Sequence, residues 1–258
     1  MWGAVVDTAP LPSERNPDSL NNIMKFLSAI FTFPEPGPVP FWRRFLSVIV
    51  GLPMYGLAVA LMIQAGIGLE PWGVFHQALS NLSGISYGNV AIIVGAGVLL
   101  LWIPLRQKLG LGTAMNVIII GVSVDLFLPI TPIAPNFWWG LLEFSIGIFV
   151  NGVAIALYVG GGLGPGPRDG LMTGLVNRFD KPVWLVRTSI EIVVVGLGWV
   201  LGGPLGLGTV YYALTIGPVA HMLMPWFALD KRTKHVNADG SLDGDHPVKP
   251  GQESFDGD

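Results

Sequence analysis

The chain has 258 residues, 51% hydrophobic and 12% charged, with a mean hydropathy of +0.59. A soluble domain carries roughly a quarter charged residues, so an ordinary globular domain is excluded and a polytopic membrane protein is indicated. Without cysteine there are neither disulfides nor thiolate metal sites, and the net charge of -3 owes much to acids in the tail after Leu229.

Residues 1–40 read as a cytoplasmic N-terminal tail. No basic start followed by an apolar core and a small-residue cleavage site is present, so a cleaved signal peptide is not expected. Residues 21–33 are too short to span a bilayer. They fit either an interfacial helix, with Met24, Phe26, Leu27, Ile30 and Phe31 in lipid, or a frayed tail. The proline-rich segment 34–40 is a stiff linker. A spanning helix needs about 20 apolar residues. Six segments fit: 41–65, 88–105, 112–130, 137–160, 183–202 and 209–228. Two shorter helices are expected at 72–83 and 168–179, and residues 229–258 read as a disordered cytoplasmic tail.

Basic residues set the orientation. With the N-terminus in the cytoplasm, Arg15, Lys25, Arg43 and Arg44 precede the first span. Arg106 and Lys108 follow the second, Arg168, Arg178 and Lys181 the fourth, and Lys231, Arg232, Lys234 and Lys249 the sixth. All are then cytoplasmic, and the remaining basic residue, Arg187, falls inside the fifth span. Such one-sidedness is the positive-inside pattern. It predicts a multi-pass membrane protein with both termini cytoplasmic.

Shifted by 96 residues, the sequence matches itself without gaps from 41 to 129, at about 25 of 89 positions. Phe41-Trp42 meets Phe137-Trp138, Gly66, Gly68 and Pro71 meet Gly162, Gly164 and Pro167, and LGLGT at 109–113 meets LGLGT at 205–209. Each unit holds three spans, and an odd number inverts the second unit. The predicted fold is therefore an all-α membrane protein with six transmembrane helices. They form two inverted three-helix repeats, 41–130 and 137–228, each with a short re-entrant or interfacial helix. Inverted repeats recur in transporters, whose sites form near the midplane at interrupted segments.

Here the interrupted segments are the two Gly/Pro stretches. Gly68, Pro71, Gly162, Gly164 and Pro167 read as backbone turns, with proline in the first helical turn. Two re-entrant half-helices would aim their positive N-termini inward; the alternative is two helices lying flat on opposite membrane surfaces. Arg168 and Asp169 occupy the positions held by Trp72 and Gly73 in the first unit. Candidate substrate-binding residues are Arg168, Asp169, Trp72, His76 and Gln77. Arg168 would bind an anion, Trp72 would wall the cavity, and Asp169 would pair with Arg168 or Arg187.

Candidate intramembrane charges are Arg187, Glu191, Asp125 and His221. Arg187 and Glu191 share a helix face, as a structural ion pair or a coupling site. Asp125 and His221 are equivalent under the shift and are either helix-end polar residues or protonation sites. Glu143 fits the outer headgroup region. Thr113 and Thr209 are natural N-caps. No second histidine stands at ligand spacing to His76, so no metal is expected, and nothing calls for a cofactor. Walker A, GxSxG and HExxH are absent, and an enzyme is not expected.

GLGPGPRDGLM at 162–172 resembles the signature of the YczE-like bacterial integral membrane proteins, related to the YitT group. GLEPWGVFHQALSNLSGISYGN at 68–89 and LLLWIPLRQKLGLGT at 99–113 are similar to that family too. The resemblance spans roughly 41–228 and implies a bacterial plasma-membrane location and the architecture, not a substrate. Glu70 and Gly73 depart from the pattern, with a glycine and an acid expected there. The leading expectation is a secondary transporter or permease for a small anionic solute. The alternatives are translocation of a lipid phosphate headgroup and a non-transporting scaffold that docks a cytoplasmic partner. The expected partners are the lipid bilayer and a small anionic solute or lipid headgroup, and nucleic acid is not expected. Small-residue faces such as Gly51, Gly56 and Ala60 pack helices within one chain or in a homo-oligomer equally well.

Overall fold

The computed structural model describes residues 31–32, 39–227 and 229. Among these residues are eight helices: α1 Phe41–Gln64, α2 Pro71–Ser83, α3 Tyr87–Leu105, α4 Leu111–Phe127, α5 Phe137–Gly160, α6 Pro167–Phe179, α7 Val183–Val200 and α8 Leu207–Phe227. Local chemistry sets several ends. Ser86 and Asn136 cap α3 and α5 by accepting the backbone N–H of Asn89 and Trp139. Proline opens α2 and α6, and Gly84 ends α2 in the left-handed conformation.

Among the described residues, five helices, α1, α3, α5, α7 and α8, are long and apolar enough to cross a membrane. The sixth expected span is α4, which has 17 residues and ends at Phe127 rather than 130. Pro129 explains the early end, because it has no N–H to return to the carbonyl of residue 125. At about 1.5 Å per residue α4 falls slightly short of the roughly 30 Å hydrocarbon core.

A second correction concerns the segment 21–33. Phe31–Thr32 is not helical. It forms a two-residue strand, β1, pairing in parallel with β2, Leu109–Gly110. The rest of that segment lies outside the described residues, as do Arg15, Lys25, the four basic residues after 230 and nearly all of both tails.

Helices α1 and α5 form the central pair, with α4 on α1, α8 on α5 and α3 on α4. Each short helix crosses to the other half: α2 packs on α7, and α6 packs on α3. The equivalent of the α3–α4 contact, between α7 and α8, has no comparable packing. Glycine sets the α1–α5 spacing. A Cβ at Gly51 would lie 3.0 Å from Ala154 O and Tyr158 N, and one at Gly147 would lie 2.9 Å from Met62 Cγ. Gly51→Leu is therefore expected to force this pair apart, at about 1–3 kcal/mol or more, read as lower thermal stability in detergent. The buried core runs through Val59, Met62, Val124 and Phe144, whereas Ile103, Trp138, Val200 and Trp226 are exposed on the outer surface.

Candidate functional site

The site is built on two matching turns. Gly66 and Gly68 have φ of 67° and 123°, and Gly162 and Gly164 have φ of 62° and 125°. Side chains rarely adopt such values, so these glycines are required by geometry. Each turn is held by the LGLGT of the other half. Gly112 N–H donates to Leu163 O at 2.8 Å, and Thr113 Oγ1 donates to Pro165 O at 2.7 Å. Likewise Gly208 N–H donates to Ile67 O at 2.8 Å, and Leu69 N–H donates to Thr209 Oγ1 at 3.3 Å. The two threonines are not N-caps. Each is the third residue of its helix, and Gly110 takes the cap position of α4 in an extended conformation. The Thr113 hydroxyl turns back to accept from Gly110 N–H.

The turns bring the first residues of α2 and α6 together. Arg168 Cζ lies 5.3 Å from the centroid of the Trp72 ring, within range of a cation–π contact. Arg168 Nη2 is 3.6 Å from Glu70 Oε1. Glu70 is buried, with 1% exposure. Its Oε2 accepts from Gly73 N–H at 2.6 Å, which caps α2, while Oε1 is buried with no hydrogen bond among the described residues. Asp169 Oδ2 accepts from Tyr158 Oη at 2.8 Å. Tyr212 Oη donates to Asn151 Oδ1 at 3.4 Å, and Asn151 Nδ2 is buried with no hydrogen bond among the described residues. Tyr158→Phe leaves Asp169 without this donor and is expected to cost about 1–3 kcal/mol, read as a lower unfolding midpoint in detergent.

Two cavities meet at this centre. The larger, about 180 Å³, reaches from Trp72, Tyr55 and Arg168 to the space between α7 and α8. The smaller, about 50 Å³, lies between Trp72 and the α3–α4 pair. Trp72, Pro167, Arg168, Asn116 and Ile120 line both, so the Trp72–Arg168 stack stands in the wall between them. The α3–α4 side is packed tightly at its far end. Asp125 there accepts from Gly88 N–H at 2.8 Å and from Ser86 Oγ at 2.5 Å.

Of the residues singled out in the sequence, Trp72, Arg168, Asp169, Arg187, Glu191 and His221 line the larger cavity. Arg187 Nε pairs with Glu191 Oε1 at 3.3 Å. His76 lines the smaller cavity and meets Tyr87 edge-on. Gln77 lines neither, and its side chain donates to Asn81 Oδ1. Asp125 also lines neither and fastens α3 to α4. Sequence reading missed Glu70, Tyr55, Asn151, Tyr158 and Tyr212. Glu70 carried a signal: an acid before the Pro71 that opens α2, in an otherwise apolar stretch, is an N-cap.

Residues 42–225 match the model of DUF6198, a family of unknown function. The chain is 36% identical over 187 residues to an uncharacterised protein of Haemophilus influenzae, covering 71% of this chain and 84% of that one. It is 31% identical over 205 residues to the uncharacterised membrane protein YczE of Bacillus subtilis, covering 76% and 94%. It is 26% identical over 189 residues to the uncharacterised protein YyaS of the same organism, covering 70% and 92%. No solved structure matches.

Proposed function

We propose that this chain, which belongs to the DUF6198 family of YczE-like membrane proteins, is a secondary transporter for a small anionic solute. The observation that carries this reading is the Trp72–Arg168 stack between two cavities of unequal size. In this reading the two halves are inverted three-helix repeats, and α2 and α6 are re-entrant half-helices. Support comes from the equal spacing of the two halves: α1 and α5 are both 24 residues, α2 and α6 are both 13, and their turns make matching bonds. Helix N-termini and Arg168 supply positive potential at the centre. With both termini cytoplasmic, the α7–α8 opening faces the cytoplasm and the Asp125–Ser86 contact closes the outer side. Transport would alternate these two openings around the stack, and the protein acts as a carrier rather than an enzyme.

Proteoliposomes holding the purified protein should accumulate a radiolabelled small anion from a panel of carboxylates, phosphate and sulfate. Glu70→Gln/Arg168→Gln, which leaves no buried charge unpaired, should abolish that uptake without loss of folded protein. Uptake equal to wild type in that double variant would exclude the role given to Arg168. The opening between α7 and α8 favours a second reading, entry of a lipid phosphate headgroup from the side. Trp184 stands in α7 where Gly88 of α3 approaches Gly121 closely, which keeps the second pair apart. Movement of fluorescent phospholipids across the liposome membrane, with no solute uptake, would favour that reading.

A further inference from the structure

The cavity has a cation at its wall and that cation is already neutralised from behind. Arg168 lines the large cavity with its side chain 32% exposed, whereas Glu70 is 1% exposed and lines neither cavity. The guanidinium thus has two faces, one toward Glu70 and one toward open space. A solute anion approaching the open face meets a paired cation. Asp169 and Glu191 line the same cavity and add repulsion in a medium that screens poorly. Glu70 Oε1 accepts no hydrogen bond among the described residues, so a proton can settle there without breaking one of those bonds. Once it does, Arg168 becomes an unpaired cation beside the cavity.

We propose that Glu70 is the coupling-proton site and that the solute is a small organic monocarboxylate with an apolar or aromatic body. This rests on the transporter reading and deepens it. The proton on Glu70 and the carboxylate on Arg168 bind together and leave together, so one proton and one anion cross as a neutral pair. The carboxylate replaces the negative charge that Glu70 gives up. Its body lies against Trp72, Tyr55, Ile155 and Met172, which line the cavity beside Arg168. Glu70 acts electrostatically on Tyr55 of α1, Tyr87 of α3, Arg168 of α6 and Tyr212 of α8, while His76 of its own helix feels Arg168, and Asp169 of α6 acts on Tyr55 and Tyr158. Arg187, Glu191 and His221 face the same cavity from α7 and α8. Glu70 is the carboxylate at ion-pair distance from Arg168. It is therefore the group whose protonation changes the charge that the solute meets.

The test is binding of phenylacetate and butyrate to the full-length protein in nanodiscs by calorimetry from pH 5.5 to 8.5, with inorganic phosphate as comparison. Linkage of one proton to one anion predicts an apparent Kd that weakens by up to about tenfold per pH unit as the pH rises. Glu70→Gln, which keeps the shape and stays neutral, should bind phenylacetate across the whole range with the wild type's low-pH affinity. Glu70→Gln/Arg168→Gln should not bind it. Wild-type affinity that is flat with pH, or pH dependence that survives in Glu70→Gln, would overturn the coupling role while leaving an anion carrier standing. Binding of phosphate but neither carboxylate would overturn the solute class. No binding of any of the three anions, in wild type or Glu70→Gln, would overturn the anion site itself and the proposal with it.

Discussion

Arg168→Met is expected to lower stability by about 3 kcal/mol, because it strands the buried carboxylate of Glu70 without its counter-ion. The cost of such a change comes mainly from the unpaired charge that remains, not from the lost attraction. Glu70→Gln/Arg168→Met removes both charges and should therefore recover most of the loss. Transport should not recover, since the cation that faces the cavity is gone. A shared loss of stability in the single and double variants would mean that Arg168 acts through packing on Trp72 rather than through charge. Thermal unfolding in detergent, alongside uptake, separates the two.

Gly164→Val is expected to remove most folded protein. Gly164 has a φ of 125°, and a Cβ there would lie 2.8 Å from Gly110 Cα and 2.9 Å from Thr113 Oγ1. Backbone strain of about 1–3 kcal/mol adds to a clash with groups that cannot move, because they hold the turn. Loosening this junction withdraws α6 and its Arg168 from the centre. Gly97→Val is the control: a Cβ there meets nothing within 4 Å, so expression and the monodisperse peak should stay near wild type. Equal loss in both variants would contradict the special role of the turn.

These effects explain which parts could be read from the chain. Helix positions were legible because apolar runs must bury their backbone groups in helices, and Pro71 and Pro167 mark starts that fall where expected. The end of α4 was less legible, since the apolar pattern continues past Phe127 and only Pro129 interrupts it. Glycines 68, 162 and 164 announced turns, and their positive φ values follow from that. What held the turns was not legible. LGLGT looked sufficient as a packing and capping motif for its own helix, yet Thr113 and Thr209 reach across to the opposite half.

The site divides in the same way. Arg168 and Asp169 stood out because charge is rare in an apolar chain. Their partners did not, because Tyr55, Tyr158, Tyr212 and Asn151 come from α1, α5 and α8. Nothing local distinguishes a tyrosine that faces a cavity from one that faces a headgroup. Glu70 departs from the family pattern, which drew the eye to its identity and not to its role. It caps α2, a role that its place before Pro71 signals, but the same carboxylate also faces Arg168. That second contact depends on packing between halves 96 residues apart. Gln77, beside a histidine on the same short helix, points elsewhere because successive residues on a helix are about 100° apart.

Helices α2 and α6 meet at one central place, where Trp72 and Arg168 stack. The chain has no cysteine, so two can be introduced cleanly at 72 and 168, in a Glu70→Gln background that leaves no charge unpaired. Nitroxide labels at these positions, measured by electron paramagnetic resonance in lipid nanodiscs, should show strong dipolar coupling and separations under roughly 20 Å, the contact distance plus label length. Weak coupling with a separation near the roughly 40 Å thickness of a bilayer would place the two short helices on opposite surfaces and contradict the account.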